Sequence, residues 1–306
     1  MKTIILSTIL LLLVNTCFAQ IIPDGSYFGQ TPPGDSAVVF DPDIMSLPDA
    51  DHHIGKVVFS PDGKECYITV WGKNFSTAKI YYSKREGNKW SQKVEAPFSI
   101  GYYTDGTFFS KDGKKLFFNR GSKPKIWMVE RTSQGWNDPK ILPSPINSDS
   151  LHWDYDYSET ADGTGYFCSD RPGGQGHDIW RTQRIQGQLL QIENLGTIVN
   201  SAVADFNSLI APDESYLIFS SERPGGYGYS DLYVTFNKGN GNWTKPVTME
   251  RNGAGINIKN TSSSNPALSP DGRYFFFTRK GSVYWISTKI INDIKKEVFN
   301  PKNSKK

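Results

Sequence analysis

Short apolar runs alternate along this chain with tight polar turns, and the alternation repeats. Five segments carry the same turn: Phe59-Ser-Pro-Asp-Gly-Lys, Phe109-Ser-Lys-Asp-Gly-Lys, Glu159-Thr-Ala-Asp-Gly-Thr, Ile210-Ala-Pro-Asp-Glu-Ser and Leu268-Ser-Pro-Asp-Gly-Arg. Their aspartates are Asp62, Asp112, Asp162, Asp213 and Asp271, at intervals of 50, 50, 51 and 58 residues. A fixed period of that size marks a solenoid, propeller or array. Within each copy an apolar-leaning strand ends at the turn, and glycine supplies the positive φ that such turns use. A second strand follows, as in Cys66-Tyr-Ile-Thr-Val and Tyr274-Phe-Phe-Phe-Thr, and then a third, as in Lys79-Ile-Tyr-Tyr and Asp231-Leu-Tyr-Val. A fourth follows Trp90, Trp136 and Trp243, with Leu189-Leu190 in that place in the third copy. Four antiparallel strands repeated radially make a propeller blade.

The pattern therefore predicts an all-β, five-bladed β-propeller of four-stranded antiparallel blades. The fifth copy lacks a fourth strand, because the chain turns polar after Ile286. The strand-like Ala37-Val-Val-Phe-Asp segment near the N-terminus is free to fill that place and cover the exposed edge. Six blades is the alternative if the 58-residue interval hides a degenerate copy, but eight extra residues are too few for one.

Composition agrees with this. Aromatics are 13% of the 306 residues and charged groups 21%, with 28 Gly and 18 Pro. That is too aromatic for disorder and too rich in chain-breakers for a helical bundle. Residues 1–19 combine Lys2, an apolar run from Ile4 to Val14 and small residues before Gln20, which reads as a secretory signal peptide. The run is short for a membrane span, and no other segment is apolar enough to be one. Asn15-Thr16 before Cys17 fits lipidation poorly. The expected organisation is a leader over 1–19, a single propeller domain over 20–291 and a basic C-terminal tail over 292–306, solvated and frayed. The destination is periplasmic or secreted.

The formal charge of +3 includes Lys2 and a tail whose five lysines face Asp293 and Glu297, so residues 20–291 sum to −1. Such a body has no electrostatic footprint for nucleic acid. Cys66 and Cys168 fall in non-adjacent copies and are expected as buried free thiols.

The F-S-P-D-G-K turn, the S-x-R-P-G-G loops at Ser169–Gly174 and Ser221–Gly226, and the Asp178-Ile-Trp and Asp231-Leu-Tyr strands together resemble the WD-like, TolB-type propeller repeat. The Tyr27-Phe-Gly-Gln-Thr-Pro-Pro-Gly start also resembles exported members from Bacteroidota-like bacteria. The resemblance covers the whole mature chain and is specific for fold. It implies periplasmic protein binding as one role, while similar propellers carry glycosidases, lyases and peptidase side domains. Fold alone does not decide among these.

In a propeller the first strand of each blade lines the central channel. Aligning the copies gathers Asp105, Trp153, Asp154, Asp156 and Asp205 from first-strand starts, with Arg120, Arg171 and Arg223 from second-strand ends and Trp71 in the first blade. Convergent polar groups in a concave mouth are the default binding site. Asp154, Asp156, Asp205, Arg171 and Arg223 are expected in one pocket, with Trp153 and Tyr155 placed to stack on a sugar. An arginine beside a neighbouring aspartate can equally staple the blade. Glu159 is anomalous, because its counterparts are Phe59, Phe109, Ile210 and Leu268, and an unpaired carboxylate there costs several kcal/mol.

Of the histidines, His52, His53 and His152 fall at the rim, but neighbours on a strand point opposite ways. No metal or cofactor is expected. No nucleophile elbow or phosphate loop is present. Two functions remain: a monomeric module binding a glycan, peptide or envelope protein, or a carbohydrate-active enzyme (glycosidase or polysaccharide lyase) using rim carboxylates. A glycosidase needs two carboxyls ~5–9.5 Å apart.

Overall fold

The turn that punctuates each repeat is closed by its own aspartate. In the computed structural model, which describes residues 27–40, 53–185, 188–239 and 241–301, the Ser60 hydroxyl donates to Asp62 Oδ1 at 2.6 Å. The same oxygen accepts the Lys64 amide at 3.0 Å. Ser110 and Ser269 repeat the bond to Asp112 and Asp271 at 2.7 and 2.6 Å, and Thr160 repeats it to Asp162. Ala211 has no hydroxyl, so in the fourth copy Ser215 donates to Asp213 from the other side, at 2.6 Å. This is the Asx-turn preference of aspartate, and it acts within six residues. The five aspartates thus occupy equivalent turns.

Each turn joins the inner two strands of a blade. Blade 1 runs His53–Phe59, Glu65–Trp71 and Ala78–Glu86, with an outer edge split into Lys89–Trp90 and Val94–Glu95. Blade 2 repeats it with Thr104–Phe109, Lys115–Arg120, Lys125–Thr132, Gly135–Trp136 and Lys140–Ile141. Blade 3 is Asp154–Glu159, Gly165–Ser169, Asp178–Ile185 and Gln188–Asn194; blade 4 is Asp205–Ile210, Tyr216–Ser221, Asp231–Phe236 and Val247–Thr248. Blade 5 contributes Ser263–Leu268, Tyr274–Arg279 and Ser282–Ser287. Its outer strand comes from the other end of the chain, Val38 opposite Trp285 and Val39 opposite Tyr284. The fold is a five-bladed propeller closed by that N-terminal strand.

Burial fixes the closure. Phe40 is 1% exposed and lies 5.1 Å, ring to ring, from both Phe276 and Trp285. Tyr27 packs on Phe59 of blade 1 and donates to Asp271 of blade 5 at 3.1 Å. The N-terminal segment therefore joins blades 5 and 1 through the largest apolar cluster.

Each connection between blades 2, 3, 4 and 5 carries an asparagine that pairs both ways with the third strand of the preceding blade. Asn147 accepts from the Ile126 amide at 2.9 Å and donates to its carbonyl at 2.8 Å. Asn200 does the same with Ile179, and Asn257 with Leu232. These amides satisfy backbone groups that the short fourth strands do not reach.

The chain after Ile286 differs from the expected frayed tail. Lys289–Phe299 is a helix with Ile291 and Ile294 buried against blades 4 and 5. Arg251 donates to Glu297 at 3.0 Å, and Phe299 meets Phe236 edge-on. The apolar positions Ile290, Ile291, Ile294 and Val298 share one helical face, which outweighs the lysine count. The expected leader (1–19) and the last tail residues (302–306) lie outside the described residues, as do Asp41 and His52. Cys66 and Cys168 are buried free thiols in separate blades. No described helix is long and apolar enough to cross a membrane.

Candidate functional site

The inner strands of blades 2–5 carry a register shift at one place, Asp105/Phe108, Tyr155/Ser158, Phe206/Leu209 and Ser264/Ala267, and blade 1 carries its shift one residue earlier, at Ile54/Lys56. A bulge re-aims a side chain and bends its strand. Here it presents one residue per blade to the channel: Lys56, Gly106, Asp156, Asn207 and Asn265. Four of these have left-handed backbone, with φ of 65° at Gly106, 54° at Asp156, 51° at Asn207 and 56° at Asn265. Glycine, aspartate and asparagine are the residues that accept that conformation. The pattern gives a ring of one cation, one anion, two amides and one gap.

That ring floors a cavity of about 430 Å³ opening on the face where first strands begin. Its walls include Trp71, Phe75, Tyr103, Asp105, Asn119, Trp153 and Tyr155. Asn119 binds the two carboxylates together, donating from Nδ2 to Asp105 Oδ1 at 2.9 Å and to Asp156 Oδ1 at 3.2 Å. Its own oxygen accepts the Asp156 amide at 2.9 Å. Asn207 donates to Asp156 Oδ2 at 2.6 Å, and the Trp71 indole to Asp105 Oδ2 at 3.3 Å. Gly106 is obligatory in this arrangement, since a Cβ there would overlap the Asn119 amide nitrogen.

Burial raises the pKa of Asp105 to about 6, and the neighbouring Asp156 carboxylate adds to the effect. Asn119, Trp71 and Lys56 pull the other way without cancelling it. Lys56 is 4% exposed, and no oxygen of the described residues lies within hydrogen-bond or ion-pair reach of its amine. Burial lowers its pKa, against the attraction of Asp156 and Asp105. Burial takes water from around the ammonium and so costs the charged form more than the neutral amine.

The sequence-derived rim residues divide into two groups. Asp105, Trp153 and Asp156 line the cavity, with Trp153 39% exposed at its edge and 6.2 Å from Tyr155, ring to ring. Asp154, Asp205, Arg120, Arg171 and Arg223 do not line it. Asp154 is fully buried and bound by Arg171, by Lys125 Nζ at 2.6 Å and by the Ser169 hydroxyl at 2.7 Å. Burial alone would raise its pKa, but hydrogen bonds from Lys125, Ser148, Arg171 and Ser169 hold it below the usual carboxylate range. Arg171 reaches on to the Pro145 and Ile146 carbonyls at 2.7 and 2.5 Å.

Asp205 repeats the design with Arg223 at 2.8 Å, and Arg223 donates to the Val199 carbonyl at 2.8 Å. Arg120 donates to the Phe98 carbonyl at 2.6 Å with Tyr102 stacked 3.8 Å from its guanidinium. Arg279 likewise donates to the Gly255 carbonyl. The arginines ending second strands thus clamp the connection from the preceding blade. The expected gathering of Asp154, Asp205, Arg171 and Arg223 with Asp156 in one pocket is not what the side chains do, because the clamp takes them outward. In blade 1 Trp71 replaces the arginine, and Gly55 leaves room for its indole to lie toward the channel.

The opposite end of the channel is apolar, lined by Phe59, Phe109, Ile210, Leu268 and the prolines of the turns. Glu159 sits in this ring and accepts the Tyr157 hydroxyl at 3.2 Å. Lys56 borders both chambers and separates them. Among the described residues no group of three histidine, cysteine or acidic side chains is arranged to hold a metal. Sequence reasoning missed Lys56, Asn119, Asn207 and Asn265. The available signal was their column, six residues before the turn aspartate for three of them, which reads Lys, Gly, Asp, Asn and Asn across the five copies.

No protein-family model matches the chain, and no curated protein matches it in sequence. Solved structures resemble the chain at low sequence identity. The hydrazine synthase of Kuenenia stuttgartiensis aligns with 81% of this chain and 81% of its own, at 12% identity and a TM-score of 0.47. A chain of a nidogen/laminin complex aligns over 74% and 70%, at 10% identity and 0.44. A prolyl endopeptidase aligns over 82% and 43%, at 16% identity and 0.44. The chain spans 38% of a mycobacterial puromycin-hydrolyzing peptidase that it also resembles. No chemistry is carried over from these likenesses.

Proposed function

We propose that this chain is an exported, monomeric, TolB-type propeller that binds a neutral glycan in the cavity at its channel mouth. The observation that carries the reading is the cavity floor, where the Asn265 oxygen, the second Asn207 N–H and the spare lone pairs of Asp156 leave both acceptors and a donor beyond the bonds already made. Sugar hydroxyls need such mixed partners, and the exposed Trp153 at the edge offers an apolar face for a pyranose ring. The leader-like residues 1–19 support an envelope or secreted location, where free glycans and envelope proteins are the available partners. Cleavage is the weaker reading. All four oxygens of Asp105 and Asp156 already accept a protein hydrogen bond, from Asn119, Trp71 or Asn207, and the pair is thereby held within the site.

Calorimetric titration against a panel of borohydride-reduced oligosaccharides tests the proposal. At least one neutral member is expected to bind, and Trp153→Ala and Asp156→Ala should each weaken it by tenfold or more. Neither should shift the melting temperature by more than a few degrees. Release of new reducing ends during incubation would instead establish the enzyme.

A further inference from the structure

The channel ring is asymmetric in one respect that glycan binding does not require. Blades 2–5 place Gly106, Asp156, Asn207 and Asn265 in this ring, and blade 1 places a lysine there. Lys56 is nine-tenths buried, borders the cavity and has no hydrogen-bond or ion-pair partner among the described residues. A structural lysine in such a place is normally paired, because an isolated buried ammonium is costly. Asp105 and Asp156 lie close enough to act on it electrostatically, yet both are turned to Asn119, Asn207 and Trp71 instead. With its stem buried, its amine unpaired at the cavity wall and an acid nearby, Lys56 has surroundings that favour a nucleophilic lysine.

We propose that Lys56 captures the open-chain aldehyde of a neutral hydroxyaldehyde, such as the reducing end of a sugar, as an imine on the cavity floor. This rests on the reading of the cavity as a ligand site. In the neutral amine the Nζ lone pair attacks the carbonyl carbon, and the C=O π pair moves to oxygen. Asp105, whose acid form stays populated near neutral pH because burial raises its pKa to about 6, gives its proton to that oxygen. The new carboxylate then takes a proton from nitrogen and passes it to the hydroxyl, which leaves as water while the nitrogen pair closes C=N. The remaining N–H proton of the iminium returns to the Asp105 carboxylate and restores the acid. Amine plus aldehyde becomes imine plus water, with no oxidant or reductant consumed. The Asp156 carboxylate on the same floor disfavours an anionic 2-oxo acid in that position.

Reductive trapping tests this on the full mature chain. The protein is incubated with glyceraldehyde and cyanoborohydride near pH 6.5, where surface lysines are protonated, and the modified lysines are mapped by peptide mass. One adduct at Lys56 is expected, formed at least tenfold faster than at any other lysine. Pyruvate at the same concentration should react there at least tenfold more slowly, and Asp105→Asn should slow the glyceraldehyde adduct by a similar factor. Lys56→Met should remove it, but the wild-type map locates the adduct whether or not that variant folds. Modification confined to surface lysines overturns the proposal, and equal reaction with pyruvate overturns its substrate class. Reduced oligosaccharides cannot form an imine, so their binding reports on the glycan site independently.

Discussion

Replacing Asp105 by asparagine should stabilise the protein above pH 6 while weakening its cavity. The carboxyl has a folded-state pKa of about 6 against an ordinary value of 3.8, raised first by burial and then by Asp156. Between those values the folded state holds a proton that the unfolded chain has already lost. Stability contributed by this group therefore falls as pH rises through that window and stays low above it. At ~1.4 kcal/mol per pH unit the penalty reaches about 2–3 kcal/mol. Asparagine removes the charge and keeps an oxygen to accept from Asn119 or Trp71. Urea unfolding should show Asp105→Asn more stable by about 2 kcal/mol at pH 8 and unchanged near pH 4. Parallel stability curves for the two proteins across that range would show that the site imposes no such strain. A residue that costs stability at neutral pH is one the fold does not need for itself.

Arg223→Ala should be the most damaging of the clamp substitutions. Its partner Asp205 is fully buried, and its other donors are the Ser201 amide and hydroxyl, at 2.5 and 2.8 Å. Removing the guanidinium leaves a buried carboxylate with no cation and strips the Val199 carbonyl of its donor. Breaking one partner of a buried pair costs about 3–5 kcal/mol. For a chain of this size that is on the order of 10 °C in melting temperature. Arg171→Ala should cost less although Arg171 is the more buried arginine, because Asp154 keeps Lys125 at 2.6 Å. The double change Arg171→Ala with Lys125→Met should restore the larger loss. Lysine at 223 should rescue little, since the clamp needs one planar group to reach Ser221, Asp205 and Val199 together. Melting curves that leave Arg223→Ala within 2 °C of the parent would remove the clamp from the account.

The parts of this fold that the sequence disclosed are those whose physics is local. Asp62 and its four counterparts close turns within a few residues, so the period, the blade count and the antiparallel order followed from reading along the chain. The closing strand was visible because blade 5 lacked an edge and Ala37–Phe40 had the matching pattern. The site was legible only in part. Asp105, Trp153 and Asp156 were found from their place at first-strand starts. Asp154 and Asp205 stand eight residues before their turn aspartates and Asp156 six, and the bulge that follows the first pair of positions turns the nearer residue to the channel. Register of that kind depends on the partner strand, which no single blade reveals. Lys56 stayed hidden because its importance lies in what four other blades place beside it. The helix at Lys289–Phe299 was obscured differently: its lysines suggested a solvated tail, while Ile291 and Ile294 carry the burial.

The most direct test is a crystal structure of the chain with the tightest-binding reduced oligosaccharide. The sugar should lie in the polar mouth, its hydroxyls within hydrogen-bond distance of Asp156 and Asn207 and one ring against Trp153. A saccharide seated at the apolar end beside Phe59 and Leu268, or on the outer strands with the mouth empty, would contradict the account.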